Sequence, residues 1–394
     1  MRLLNTSTLQ FKEFFDADIP EYVILSHRWG YEKVSFKLMR KGAAPPNSGL
    51  EKIERFCQEA KVIGLKWGWV DTCCIDQRSS AELSEAINSM FKWYANAKTL
   101  QELLAPNVVH FYDANWTGIG ARYELRSIVA EATTIDVNYL SHVNVLNASV
   151  AKKMSYASRR KTSREEDIAY CLLGLFNVKM PLLYGEGAER AFKRLQIEIM
   201  KESQDESLFA WTSDQPASGM LADDIAYFQG SGRIVEYREV DSVEPEGPFD
   251  TSKSPFAMTS RGLEFPIPEY LSKENGLISI PLKCSVGPPE MQERVWIELC
   301  KHGDSAVRSQ CGSLKVELYS HSKDSSGPVA QAPMQILYVK RPTEVDIEYV
   351  RLHHRVKDDS SFAPDLMKTA KKKIAYRRQE ELEGITEKRW WRYY

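Results

Sequence analysis

The chain has 394 residues, of which 43% are apolar and 27% are charged, and this size predicts two or three soluble domains. Fifty-two Lys and Arg face 54 Asp and Glu, so a net charge of −2 excludes a strongly basic nucleic-acid binder as the default interpretation. No apolar run approaches the ~20 residues that span a bilayer, and the start lacks the apolar block of a secretory signal. Seven scattered cysteines do not indicate a disulfide framework and favour a reducing, cytoplasmic setting.

The first half of the chain predicts alternating strands and helices. Residues 22–26 and 67–71 are short β-rich runs, typical of buried parallel strands. Apolar residues recur at helical spacing over 50–63, and the capping-box pattern Ser79-x-x-Glu82 starts a second helix. This order of strand, helix, strand and helix predicts parallel pairing with crossover helices, an α/β fold.

The second half has a different pattern. Residues 164–176 and 187–200 have a helical period, whereas the later apolar runs are short, partly alternating and separated by turn residues, which predicts an antiparallel β region. These runs cover 232–237, 277–284, 295–300, 314–319 and 336–339. We predict four parts: an α/β domain over 1–150, a helical extension over 151–212, a β-rich domain over 213–366 and a basic-aromatic tail over 367–394.

The tail interleaves Lys and Arg with aromatic residues and ends in Trp390-Trp391-Arg392-Tyr393-Tyr394. Cations between aromatics are typical of a nucleic-acid contact. A solvated terminal helix that ends in a hydrophobic docking patch explains the same composition, and we prefer it because compositional patches are weak evidence. Nucleic acid is therefore not an expected partner.

The loop Ser26-His27-Arg28-Trp29 follows the first predicted strand directly. In parallel sheets, ligands bind at the carboxyl ends of strands. His27 and Arg28 therefore either meet an anion at this place or only tether the loop.

Asp71 and Asp76 follow the second predicted strand, on either side of Cys73-Cys74. A carboxylate there orients a ribose hydroxyl or a partner arginine, although helix capping explains it equally well. Vicinal cysteines suggest metal or redox chemistry, but zinc ligands usually sit about two to four residues apart and need a second pair, which this chain lacks. We interpret the two cysteines as small buried residues.

Two further strings are weaker on the residues alone. Tyr184-Gly185-Glu186-Gly187 precedes a helix but lacks the Lys-Ser/Thr of a P-loop and the spacing of a dinucleotide fingerprint, so it predicts a tight turn. Glu102 lies in a short predicted helix that stops at Pro106, where it is an ordinary surface acid.

Together these strings resemble the motifs of the fungal heterokaryon-incompatibility (HET) domain. The matching strings, in the family's order, are YVILSHRWG at 22–30, WVDTCCIDQ at 69–77, ELSEAINSMFKWY at 82–94, TLQELLAP at 99–106, MSYASRRKT at 154–162 and MPLLYGEG at 180–187. The resemblance implies a role in non-self recognition between fused fungal cells, a form of innate immunity that ends in programmed cell death. The β-rich remainder looks like the usual C-terminal extension of such proteins.

HET domains are also similar to TIR domains, some of which hydrolyse NAD, and this likeness implies a TIR-like or flavodoxin-like parallel sheet. It assigns the catalytic carboxylate to Glu102, which would hold the nicotinamide-ribose hydroxyls while the N-glycosidic bond breaks through an oxocarbenium-like state. Ser26, His27 and Arg28 would line the phosphate side, and Trp29 would stack on a ring. NAD is then a substrate, and no resident cofactor is expected.

The chain departs from the family at the junction of residues 98 and 99. HET domains usually carry about thirty residues there, enough for one core strand and a loop. Loss of an interior strand leaves apolar helix faces unburied, which predicts a degenerate copy or a mis-spliced gene product.

Two mechanisms stay open at this point. One is an NAD-cleaving enzyme that needs Glu102, and the other is a signalling module that acts by assembly without chemistry. Other incompatibility or sensor proteins, and a second copy of the chain, are the expected partners.

Overall fold

The computed structural model describes residues 1–15, 18–27, 32–96, 101–104, 108–141, 145–236, 256–268, 277–287, 292–302, 305–309, 311–318, 334–342, 346–347 and 350. The chain divides into two compact units. The first comprises Met1–Ala148 and Arg159–Glu202, and the second comprises Ser149–Ser158 and Ser203–Tyr394. The predicted tail over 367–394 lies outside the described residues.

Helices and strands alternate in the first half and strands dominate the second. Within the described ranges the α-helices are α1 (Phe36–Arg40), α2 (Ser48–Val62), α3 (Asp71–Cys74), α4 (Ser80–Asn96), α5 (Gln101–Leu104), α6 (Arg122–Thr133), α7 (Val137–Ser141), α8 (Val150–Ala157), α9 (Asp167–Tyr170) and α10 (Ala188–Glu202). The strands there are β1 (Arg2–Asn5), β2 (Phe11–Glu13), β3 (Val23–Leu25), β4 (Trp67–Val70), β5 (His110–Tyr112), β6 (Gly118–Ala121), β7 (Ala217–Ser218), β8 (Val235–Glu236), β9 (Ala257–Thr259), β10 (Gly262–Pro268), β11 (Leu277–Val286), β12 (Glu293–His302), β13 (Ser305–Ser309), β14 (Lys315–Leu318) and β15 (Met334–Val339). Short 3₁₀ helices include Glu206–Phe209, Ile225–Phe228 and Ser231–Arg233.

The main sheet of the first unit has the strand order β2-β1-β4-β3. Strands β3 and β4 are parallel, with Val23 opposite Gly68 and Leu25 opposite Val70, as the sequence predicts. Strands β1 and β2 form an antiparallel hairpin that the sequence did not predict, and β1 also pairs antiparallel with β4. The expectation of an α/β unit is confirmed, but its sheet is mixed because the N-terminal hairpin joins it in the antiparallel sense.

Helix α2 is the crossover between the two parallel strands. The Asn47 side chain caps the helix by accepting the Leu50 N–H. Ile53 and Phe56 lie on the buried face of the helix. Burying each such side chain stabilises the fold by ~1.5–3 kcal/mol. A Cβ on Gly68 would lie 2.7 Å from the Phe56 ring, so this packing of helix on strand requires glycine in β4.

The predicted helix over 164–176 is wrong in its extent. Only α9 is α-helical there, and residues 171–177 continue as successive turns that end at Asn177, whose φ is +54°. Apolar residues still point inward at this spacing, because Ala169 and Leu173 are fully buried. The spacing of apolar residues in the sequence therefore predicted which side chains are buried, but it did not predict the irregular backbone. The other predicted helix, over 187–200, is confirmed as α10.

The second unit contains a sheet whose described strands follow the order β8-β11-β12-β13-β15-β10-β9, with β14 beside β12 and β7 beside β13. The neighbours are antiparallel except β13 and β15. The five predicted runs coincide with β8, β11, β12, β14 and β15, which confirms a β-rich C-terminal region. The sequence did not predict β7, β9, β10 or β13.

Helix α8 packs within the second unit, whereas α9 and α10 belong to the first. The Val150 N–H donates to Asp205 Oδ2 at 2.6 Å. The Ala151 N–H donates to Ser207 Oγ at 3.0 Å. The predicted helical extension over 151–212 is therefore divided between the two units.

Candidate functional site

Two polar chain segments meet at one edge of the first unit's sheet. Strand β3 ends at Leu25 and β4 ends at Val70, and these two residues are register partners. Ser26 follows one strand and Asp71, the first residue of α3, follows the other. Ser26 is exposed and Asp71 is half-buried. These two predicted residues therefore lie at the edge where sheets with parallel strands bind ligands.

His27 lies at the same edge and contacts α2. Its Nε2 is 2.8 Å from Lys52 Nζ. Partial burial, and then the positive charge of Lys52, lower the pKa of His27 below its ordinary value. Because an ammonium group only donates hydrogen bonds, Nε2 accepts here and the imidazole is neutral. The contact places the Lys52 cation beside His27, at the position where the sequence analysis considers a bound anion.

Glu32, where the described chain resumes after His27, contacts the start of α2. Arg28 and Trp29 lie outside the described residues. The Glu32 carboxylate accepts the Ser48 N–H at 3.1 Å and the Ser48 Oγ–H at 2.7 Å, and these bonds lower the pKa of Glu32. The approach is close, since a Cβ on Gly49 would lie 2.0 Å from the Glu32 carbonyl oxygen. The Glu32 carboxylate thus lies at the positive end of α2, where negative charge is favourable.

Asp76 holds an arginine of its own loop. Its carboxylate accepts Arg78 Nε–H at 2.9 Å and Nη2–H at 2.7 Å, and these hydrogen bonds lower the pKa of Asp76 to about 2. The Asp76 N–H donates to Glu82 Oε1 at 2.8 Å. The predicted capping box is therefore half formed, because Ser79 Oγ accepts the Glu82 N–H but the Glu82 carboxylate turns to Asp76. Of the roles considered for Asp76, this geometry is that of a carboxylate that orients an arginine.

Behind Asp76 lies an ion network that the sequence did not indicate. Arg2 Nη1 donates to Glu82 Oε1 at 2.7 Å and to the Cys74 carbonyl at 3.2 Å, and Nη2 donates to Glu13 Oε1 at 2.9 Å. The Arg2 side chain is 14% exposed, and its guanidinium lies 4.0 Å from the Phe36 ring centroid. Arg2 and Glu82 are 80 residues apart, so no local motif could have predicted the pair.

The vicinal cysteines are structural. Cys73 and Cys74 are buried in α3. A hydrogen bond with Cys74, and then burial, raise the pKa of Cys73 well above its ordinary value. Buried thiols with raised pKa values are inert as nucleophiles. Within the described ranges, no group of three or more His, Cys, Asp and Glu side chains is placed to hold a metal ion.

Glu102 belongs to the short helix α5, and its side chain lies outside the described part of the chain. Buried Arg122 anchors this helix, because its Nη1 donates to the Leu103 carbonyl at 2.6 Å. Burial lowers the pKa of Arg122. Arg122 is a fixed neighbour of α5 that the sequence did not single out.

The glycine string over 184–187 forms a tight turn, as predicted. Gly185 and Gly187 have φ angles of +98° and +81°, values that glycine adopts readily. Their N–H groups donate to Glu166 Oε1 at 2.7 and 3.2 Å. The Glu166 carboxylate therefore accepts the backbone N–H groups that, in a phosphate loop, would donate to a ligand.

The fold and the site define a class of protein. Its members combine an α/β unit, with polar residues at the carboxyl edge of its parallel strands, and a β-rich unit. Residues 22–162 match the family described as heterokaryon incompatibility protein (HET). Residues 190–274 match a domain of unknown function, DUF8212. Residues 22–162 therefore carry a HET domain, and the resemblance seen in the motifs is confirmed.

Among curated proteins, the chain is similar to vegetative incompatibility protein HET-E-1 of Podospora anserina, with 39% identity over 230 residues. The match covers 48% of this chain and 17% of that protein, so the chain spans less than a fifth of its relative. No solved structure matches the chain. None of the described helices combines the length and the apolar character that a membrane crossing requires.

Proposed function

We propose that this protein acts in vegetative incompatibility, the recognition of non-self between fused fungal cells, and that its output is programmed cell death. The observation that carries the proposal is the HET match over 22–162, supported by 39% identity to a vegetative incompatibility protein. The cell-death output rests on the family resemblance. Other incompatibility or sensor proteins in the cytoplasm are its proposed partners.

For the chemistry, we propose NAD hydrolysis in a TIR-like unit, with Glu102 as the catalytic carboxylate. Water attacks C1′ of the nicotinamide ribose, the N-glycosidic bond breaks, and nicotinamide leaves with the bonding electron pair. ADP-ribose and one proton are the other products. Glu102 would hold the ribose hydroxyls and stabilise the oxocarbenium-like transition state electrostatically.

The described geometry that supports an anionic ligand is the group at the carboxyl edge of β3 and β4. Ser26 and Asp71 directly follow the two strands, and Lys52 supplies a cation 2.8 Å from His27. In this proposal Ser26, His27 and Lys52 bind the pyrophosphate, together with Arg28. Asp71 takes the ribose hydroxyls of the second nucleoside, Trp29 stacks on a ring, and Asp76 keeps Arg78 in position.

A second candidate is a module that acts by association, without chemistry. Three large apolar side chains that lie close together in the sequence are exposed: Ile119 (56%), Tyr123 (55%) and Ile128 (67%). They belong to β6 and α6. Exposed apolar groups of this size are a mark of protein interaction sites when they form a contiguous patch.

The enzymatic proposal is tested by release of nicotinamide from NAD with the purified full chain. Glu102→Gln is compared with Glu85→Gln, which changes an exposed acid on α4. We expect wild type and Glu85→Gln to release nicotinamide, and Glu102→Gln to lose activity by about a hundredfold or more, as for loss of one key electrostatic group. Absence of release by the wild type would show that the enzymatic proposal is wrong.

The assembly candidate predicts the opposite sensitivity in cells. Ile128→Asp should abolish cell death in a fungal host while Glu102→Gln leaves it unchanged. Loss of cell death in Glu102→Gln alone would favour the enzyme.

A further inference from the structure

A cleft of about 640 Å³ lies between the N-terminal hairpin β1–β2 and helix α1, and reaches Asp76 and Glu82. Sites for small molecules typically measure about 300–1,000 Å³. Much of the lining comes from hairpin residues that precede the family match at residue 22. The function proposed above makes no use of this space.

The acidic side chains of the cleft are already paired. Arg2 binds Glu82 at 2.7 Å and Glu13 at 2.9 Å. Arg78 binds Asp76 at 2.7 Å. Two arginines therefore pair with the three carboxylates, because Arg2 is shared between Glu13 and Glu82.

Two exposed cations of the lining are free of such pairs. Lys12 on β2 and Arg40 on α1 form no ion pair with an acid of the described residues, and Lys12 Nζ lies 5.0 Å from the Phe14 ring centroid. Arg40 lies 5.3 Å from the Phe36 ring centroid, so its guanidinium is held near the cleft wall. With Lys12 and Arg40, four cations face the three carboxylates, so the cleft and its paired arginines carry a surplus of one positive charge.

One wall of the cleft is apolar and aromatic. The Phe11 and Phe36 ring centroids are 5.3 Å apart, and the rings are inclined at 51°. Phe36 is buried, whereas Phe11 is only half-buried and presents ring surface in the cleft, next to half-buried Leu9. A flat ring packed on such a wall gains both apolar burial and stacking.

We propose that this cleft binds a small aromatic anion of the mononucleotide class. Its phosphate is bound by Lys12 and Arg40, and its base lies against Phe11. The site is distinct from the one proposed for NAD hydrolysis, because it requires neither Glu102 nor the loop after β3. The binding involves no covalent step.

Isothermal titration of the full chain with AMP tests this site, with adenosine and inorganic phosphate as the two partial probes. We expect AMP to bind and each partial probe to bind at least about tenfold more weakly, since each lacks one of the two contacts. Lys12→Met and Arg40→Met should each weaken AMP binding about tenfold or more, the usual effect of removing a charged hydrogen-bond donor. Lys37→Met, an exposed change on α1 outside the cleft lining, is the matched control and should leave affinity unchanged.

Three results would overturn the proposal. They are no AMP binding up to about 1 mM, phosphate affinity equal to that of AMP, and unchanged AMP affinity in both cation variants. Lys12→Met should retain any NAD cleavage while it loses AMP binding. Failure of this proposal is thereby distinguished from failure of the enzymatic one.

Discussion

Replacing Arg2 by Met removes the cation that joins the N-terminal hairpin to helices α3 and α4. Arg2 is 14% exposed and donates to Glu82, Glu13 and the Cys74 carbonyl. A hydrogen bond to a charged group contributes about 1.5–3 kcal/mol, and methionine retains part of the packing on Phe36. Glu82 is 31% exposed and can be hydrated in the variant. We therefore expect the free energy of unfolding to fall by about 2 kcal/mol in total rather than by the sum of the bonds.

Urea unfolding combined with hydrogen exchange in peptides over 1–15 and 67–76 measures this effect. We expect faster exchange in both segments, because Arg2 connects them. Arg55→Met is the control, since it removes an exposed ion pair with Glu51 on α2 and should cost less than about 0.5 kcal/mol. Equal losses in the two variants, with unchanged exchange over 1–15, would refute the role of Arg2 as the link.

Three further outcomes are expected. Gly49→Ala places a Cβ 2.0 Å from a backbone oxygen of the preceding loop and should cost about 1–3 kcal/mol in thermal unfolding, whereas Gly230→Ala, with open space around it, should be neutral. Lys52→Met should raise the pKa of His27 in an NMR titration, and an unchanged value would contradict the contact. In the wild type the unfolded chain binds more protons at this histidine, so its contribution to stability falls as the pH drops below the ordinary histidine pKa. Amplification of the transcript across codons 98–99 should give a product with about thirty extra in-frame residues, and a product that matches this sequence would show that the gap is real.

Elements with a strong local period were predictable. Helices α2 and α10 and the parallel pair β3–β4 follow from apolar spacing within one segment. The hairpin β1–β2 was not predictable, because its turn has no Asn-Gly or Gly-Gly signal. The Asn5 side chain accepts two backbone N–H groups there, and Leu9 adopts a φ of +56°, which is unusual for leucine.

The candidate site divides in the same way. The rule that parallel strands end at one edge was sufficient to bring Ser26 and Asp71 together. The pairing of Asp76 with Arg78 is also consistent with their spacing, because residues two apart in a turn can form an ion pair. The contact between His27 and Lys52 depends on how α2 packs against the loop, and a motif read along the chain carries no such information.

Helix α8 shows that the family boundary and the folding boundary differ. It lies inside the HET match at 22–162, yet it packs in the second unit, where Val150, Ala151 and Met154 are at most 4% exposed. A fragment that ends at residue 162 would expose these side chains to water and remove Asp205, which accepts a backbone N–H at the start of the helix. The HET match therefore includes a helix whose capping partners, Asp205 and Ser207, lie beyond the end of the match.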